Sequence, residues 1–237
     1  GQTPSTVTTA PAVTTESTST TASTITTVAA SPERGRPLRI GVVSARTGPL
    51  ALFGKADEWW IALGSQAVRE GIVCGDGKLR EVTFSVRDCR SVPSVAAGVA
   101  SGLISDVRVD LLMCSGGTDI VLGVAERAET LGCPCLADFV EWRSLLRGRE
   151  AAAAPELTWT YVHAFGLEDV AANYAAMWIQ LSTNKKVGLV LPDDTDGRMW
   201  ADTNAGLAAS LTASGYEWVM PGLYQPGTSD FIPHISE

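Results

Sequence analysis

Residues 110–119 read DLLMCSGGTD, and this stretch decides the fold. An apolar run, Leu111, Leu112 and Met113, stops at Cys114-Ser115-Gly116-Gly117-Thr118, and an amphipathic stretch over 120–131 follows at once. That order is a buried strand, a tight loop and a helix. A short uninterrupted apolar run is how a strand inside a parallel sheet reads, and two glycines let the chain turn where a side chain would clash. Backbone N–H groups at the start of the helix, with the Ser115 and Thr118 hydroxyls beside them, make a cradle for a carboxylate or another polar group. The plainer alternative is a βα turn in which one of these hydroxyls caps the helix.

Working outward, the same alternation repeats. Upstream, 38–43 (LRIGVV) reads as a buried strand and 44–54 (SARTGPLALFG) as a turn-rich loop. A helix over 55–70 follows, with Trp59, Ile61, Leu63 and Ala67 among its apolar positions, and then a CGDGK turn, an alternating strand over 81–87 and a helix over 92–104. Downstream, 135–137 is a short strand, and the loop after it carries Phe139 and Trp142. Strands alternating with helices at this spacing predict an α/β fold with a doubly wound parallel sheet, because parallel strands need helical, right-handed crossovers. Ligands of such sheets sit beyond the carboxyl ends of the strands. That rule gathers 44–54, 88–91, 115–118 and 138–142 onto one rim as the walls of a cleft.

After an Ala-rich loop at 151–154, residues 157–163 (LTWTYVH) read as a β segment and 167–181 as a helix with Val170, Tyr174, Met177 and Trp178 on one face. A fresh β-α-β start follows: a strand over 187–191, an acidic loop over 192–197, a helix over 199–214 and a strand over 217–220. Two strands cannot close a core of their own, so a second lobe is expected to be incomplete in this chain. The domains expected are a disordered tether at 1–36, a first lobe at 37–157, and a crossing segment with part of a second lobe at 158–237. About half of residues 2–32 are Thr or Ser, with almost no charge, a composition that buries too little to offset chain entropy.

The chain has 237 residues, 45% of them hydrophobic, and a formal charge of -8 from 18 Lys and Arg against 26 Asp and Glu. Without a basic run longer than two residues, nucleic acid is not an expected partner. No apolar stretch approaches the roughly 20 residues of a membrane span, and the N-terminus lacks the pattern of an intact signal peptide, so any export signal is expected to have been removed.

Catalytic and metal motifs find little support. In the CGDGK turn Leu79 follows the lysine, so the phosphate-loop pattern fails. The run Asp193, Asp194 and Asp196 does not fit a calcium loop, since Thr203 stands where a bidentate Glu is required. His163 and His234 lack zinc spacing, and there is no Gly-x-Ser-x-Gly elbow. No cofactor, metal or catalytic residue is expected. Of the five cysteines, Cys89 and Cys114 follow what read as neighbouring strands. A disulfide in an oxidising compartment and buried unpaired thiols are both open at this point, as is the pairing of Cys74, Cys133 and Cys135.

Six segments, in this order and spacing, carry a family resemblance: IGVVSARTGPLALFG, RDCRSVPSVAAGVASGLISD, MCSGGTD, WTYVHAFGLEDV, NKKVGLVLPDDTDGRMW and PGLYQPGTSDFIPHIS. They resemble the extracytoplasmic solute-binding proteins of ABC transporters, of the branched-chain amino acid (leucine/isoleucine/valine) type. The resemblance covers the chain from about Leu38 onward. It implies two doubly wound lobes of the type I periplasmic binding protein fold, joined by crossing strands, with much of the second lobe absent here.

Position by position, the resemblance puts the ligand-contacting serine on Ser115, beside Gly116, Gly117 and Thr118, and the family's bridged cysteines on Cys89 and Cys114. It puts the first-loop aromatic on Phe53, further contacts on Asp138, Phe139 and Val140, and the acid that meets a ligand ammonium on Glu168. Asp196 stands where the second lobe has a tyrosine. Phe139, Trp142 and Asp196 depart from simple aliphatic amino-acid binders, which implies an aromatic, amide-like or other polar solute.

The function implied is capture of a small polar solute, an amino acid or related compound, outside the membrane for delivery to an ABC transporter permease. Contact with the membrane would then be through an anchor alone. A ligand-sensing domain of a receptor or regulator on the same fold is the alternative. An α/β enzyme, the third possibility, lacks a nucleophile, metal or dinucleotide constellation.

Overall fold

A computed structural model of the protein describes residues 31–143, 145–146 and 157–235. Residues 1–30 of the expected tether and the Ala-rich loop at 151–154 lie outside the described residues. The folded part reaches back into the stretch assigned to the tether: the Leu79 N–H donates to the Glu33 carbonyl at 2.8 Å, and the Gly35 N–H donates to that of Leu79 at 2.9 Å.

The first lobe is built on a five-stranded sheet in the order β4-β1-β5-β6-β7. Its strands are β1 (Leu38–Ser44), β4 (Val82–Asp88), β5 (Leu111–Cys114), β6 (Cys135–Asp138) and β7 (Thr160–His163), every pairing parallel. A small antiparallel pair, β2 (Ile72–Val73) with β3 (Leu79–Arg80), flanks the CGDGK turn. The predicted crossing segment thus closes the first sheet, with Asp138 in register with His163.

Helices α1 (Ala51–Ala67), α2 (Pro93–Gly102) and α3 (Thr118–Leu131) make the crossovers. The apolar faces of α2 and α3 meet the sheet in one core, where Ala96, Ala100, Leu103, Leu112, Val121, Val124, Ala125 and Ala128 are at most 1% exposed. Helix α3 starts after Gly117 and ends at Gly132, both with positive φ, 84° and 66°. Glycine adopts that backbone without the penalty a Cβ brings.

Helix α1 begins at Ala51, not at 55 as the turn-rich sequence predicts. Gly54, which reads as a loop glycine, lies inside the helix, where a Cβ would sit 2.5 Å from the Ala45 carbonyl oxygen.

The expected Cys89–Cys114 disulfide is not formed, and all five cysteines are free. The two residues follow β4 and end β5, and those strands are not neighbours as the sequence implied: β1 lies between them. The Cys114 sulfur lies instead 3.9 Å from that of Cys135 on β6. Its hydrogen bond with Cys135 and its burial push its pKa up, so it stays a thiol, not a reactive thiolate.

The second lobe is smaller. The strand predicted over 187–191 appears as β8 (Lys186–Gly188) and β9 (Leu191–Pro192), paired in parallel with β10 (Glu217–Val219) and β11 (Leu223–Tyr224). A helix Leu167–Trp178 packs with Leu189, Leu207 and Leu211 into a separate core. The single helix predicted over 199–214 is two, Thr195–Ala201 and Leu207–Ala213. Between them the Asp202 carboxylate accepts from the Asn204 and Ala205 N–H groups, and Gly206 crowds three carbonyls that a Cβ would strike. The chain therefore holds a lobe on a five-stranded sheet and a smaller second lobe with its own core.

Candidate functional site

The carboxyl ends of the first-lobe strands and the start of the second lobe enclose a cavity of about 590 Å³. Phe53, Gly117, Asp138, Phe139, Val140 and Asp196 line it, all anticipated from the sequence. Glu141, His163, Phe165, Val170 and Trp200 line it as well and were not anticipated. Phe53 and Phe139 meet edge to face, with ring centroids 5.8 Å apart. Phe139 holds a left-handed backbone, φ 50°, and its N–H donates to its neighbour's carboxylate, Asp138, at 2.9 Å. That conformation turns its ring toward Phe53 at a strain cost of about 1 kcal/mol or more for a non-glycine residue.

A second cavity of about 300 Å³ lies against the first, sharing Asp138 and Phe139 as a wall. Ser115 lines this rear chamber together with Asp57, Trp60 and Met113. Asp57 is the residue that the sequence reading missed. Its carboxylate, only 2% exposed, accepts from the Ser44 hydroxyl at 2.6 Å, the Ser115 hydroxyl at 2.8 and 3.0 Å and the Trp60 indole N–H at 3.1 Å. A buried carboxylate needs such donors, because leaving it bare in the interior costs several kcal/mol. The signal was in the sequence: Asp57 stands at i+3 from Gly54 and i−4 from Ile61, on the sheet-facing side of α1.

Thr118 is held from the other lobe. Its backbone N–H donates to Asp196 Oδ2 at 3.1 Å and its hydroxyl donates to Asp196 Oδ1. A second link joins the Thr195 hydroxyl to Asp119 at 2.6 Å. Burial pushes the Asp196 carboxyl above the usual carboxylate range, against the pull of the Thr118 donors. The acidic run is shaped to present Asp196. Asp194 caps the helix by accepting from the Gly197 N–H at 2.8 Å, Asp193 pairs with Arg198 at 2.8 Å, and Gly197 leaves no room for a Cβ against the Pro192 carbonyl. Neither Ser115 nor Thr118 caps α3, whose Ncap, Gly117, has no side-chain partner.

Trp142 and Glu168 stand beside the main cavity but do not line it. They engage each other, the indole N–H donating to Glu168 Oε1 at 3.0 Å, while Arg143 approaches Oε2 at 3.5 Å. The pair packs on Gly166, where a Cβ would collide with both side chains. Asp88 fixes the first loop by accepting from the Arg46 and Thr47 N–H groups and the Thr47 hydroxyl. Burial alone would raise its pKa, but these bonds and one from the Arg90 N–H hold it below the ordinary value.

Comparison with known proteins places this geometry. No curated protein sequence matches the chain. Among solved structures, an ABC transporter solute-binding protein from Rhodopseudomonas palustris in complex with 4-hydroxybenzoate is similar at a TM-score of 0.64 and 21% identity, over 83% of this chain and 49% of its own. The leucine-binding protein LivK of Thermotoga maritima gives 0.64 and 20%, over 83% and 51%. The branched-chain amino acid substrate-binding protein LivJ of Streptococcus pneumoniae, in complex with isoleucine, gives 0.58 and 20%, over 82% and 51%. The chain spans about half the length of these structures. At these identities they share its fold. A family model described as periplasmic binding protein matches residues 37–237, and the chain belongs to that family.

Proposed function

We propose that the protein captures a small solute in the 590 Å³ cavity, without catalysis, and that the complete molecule passes it to an ABC transporter permease outside the cytoplasm. The observation that carries this reading is the position of the cavity. It opens at the carboxyl ends of β5 and β6, where a parallel sheet presents its loops, and it meets the second lobe at Asp196. Phe53, Phe139 and Val140 supply apolar walls, Gly117 a close backbone approach, and Asp138 and Asp196 the polar groups. Ser115 acts from the rear chamber, and Trp142 with Glu168 braces the flank.

Family membership supports an extracytoplasmic location, and among the described residues no helix is long and apolar enough to cross a membrane. The test is native mass spectrometry of the full-length protein, purified without denaturation. One retained small molecule per chain is expected, and Phe53→Ala or Phe139→Ala should weaken its binding by about tenfold as an aromatic contact is lost. Retention of no small molecule, or retention that both substitutions leave untouched, contradicts the cleft as the binding site.

A further inference from the structure

Among the described residues, the titratable side chains lining the main cavity are Asp138, Glu141, His163 and Asp196. Two of them are engaged by the protein itself: Asp196 holds Thr118, and Glu141 accepts from the Leu167 N–H at 3.2 Å. The other two stand together. Asp138 and His163 end the neighbouring strands β6 and β7 in register, so the sheet sets them side by side. His163 Nδ1 is 3.8 Å from Asp138 Oδ1, beyond a direct hydrogen bond, and the two side chains are 82% and 41% exposed. Oδ1 accepts from the Phe139 N–H, while among the described residues neither Asp138 Oδ2 nor the imidazole is hydrogen-bonded. Neighbouring strands lie about 4.8 Å apart, which puts the end of β7 about 10 Å along the rim from the loop after β5. The pair therefore belongs to the end of the cavity remote from Ser115–Thr118, and it sets an acceptor beside a donor.

We propose that Asp138 and His163 form a subsite for the far end of the solute and select a hydroxyl group there. A hydroxyl has one proton to give and lone pairs with which to receive. In a single pose it donates to Asp138 Oδ2 and accepts from an imidazole N–H. A carboxylate at that end would face the Asp138 charge, and an ammonium has no lone pair to offer the imidazole N–H. The solute is then an aromatic compound hydroxylated at the end away from the β5 loop, with its ring against Phe53 and Phe139. This inference rests on the cleft reading above and deepens it, because it makes His163 a specificity-determining residue.

The test is calorimetric titration of the full-length protein with probes that differ only at the far end: L-tyrosine against L-phenylalanine, and 4-hydroxybenzoate against benzoate, 4-(aminomethyl)benzoate and terephthalate. The hydroxylated member of a series is expected to bind about tenfold tighter than the others, the margin of a polar pair met over one left unmet. His163→Ala, and His163→Phe, which keeps a ring in place, should each shrink that margin to about twofold or less. Both should leave the affinity for the unsubstituted probe and the thermal midpoint unchanged, since the side chain is largely exposed. Equal losses for hydroxylated and unsubstituted probes would make His163 a mere wall and overturn the proposal, as would a margin that survives both variants. Preference of the parent for an unsubstituted, ammonium or carboxylate end would overturn the hydroxyl assignment while leaving the cleft as the binding site. Binding of none of the probes would overturn the proposal too; a molecule retained in native mass spectrometry would then still uphold the cleft reading, and the lack of one would remove that reading as well.

Discussion

Two carboxylates meet the same loop from opposite sides and differ in what holds them. Asp57 belongs to the first lobe, and all its donors, Ser44, Ser115 and Trp60, come from that lobe. Asp196 belongs to the second lobe and takes its donors from Thr118 across the cleft. The first arrangement is part of a core and persists however the lobes move. The second exists only while the lobes touch. One carboxylate therefore sets what the loop offers, and the other reports whether the cleft is closed over it.

The comparison breaks most visibly in stability. Asp57→Ala strands the buried Ser44 and Ser115 hydroxyls and the part-buried Trp60 indole and should lower the unfolding free energy by about 3 kcal/mol, whereas Asp196→Ala should lower it by about 1 kcal/mol or less. Urea unfolding of the two variants side by side checks this, and equal effects would erase the distinction. Next in size, Gly54→Ala forces α1 off the end of β1 and should destabilise by about 2 kcal/mol, as overpacking does. Because α1 carries Phe53, the same substitution should also reduce solute affinity, measurable by titration against the retained molecule.

Acid should sharpen the comparison. Burial holds the Asp196 pKa above its value in a free carboxylate, so the form with the lobes in contact binds its proton at higher pH than the form without. Contact is therefore strengthened as pH falls through the raised Asp196 value toward the ordinary carboxylate value of about 4, and weakened as it rises again. A fluorescence energy-transfer pair spanning the lobes should report shorter distances in that window, and Asp196→Asn should flatten the curve. The smallest effect belongs to Thr195→Ala. It removes an exposed hydrogen bond to Asp119, and thermal melts should register about 0.5 kcal/mol or less.

The sheet, its helices and the rim of the cleft were legible in the sequence because they rest on apolar periodicity and on the Ser115-Gly116-Gly117-Thr118 turn. Strand order was not, since neighbours in sequence read the same whether or not a third strand lies between them, and the Cys89–Cys114 pairing failed on that point. Gly54 misled because a glycine that permits a close approach looks like one that permits a turn. Asp57 was overlooked for a related reason. A carboxylate among Lys55, Glu58 and two tryptophans reads as part of a solvated face until the helical phase set by Gly54 turns it inward. Asp196 lines the cavity as expected, but its hydrogen bonds to Thr118 are a contact between lobes that no local pattern encodes.

The most direct test of the account is a crystal structure of the full-length protein with the solute that co-purifies with it. The account predicts the solute in the cavity beside Phe53 and Phe139, with Asp57 still held by Ser44 and Ser115. An empty cavity, or a solute seated elsewhere on the molecule, would contradict it.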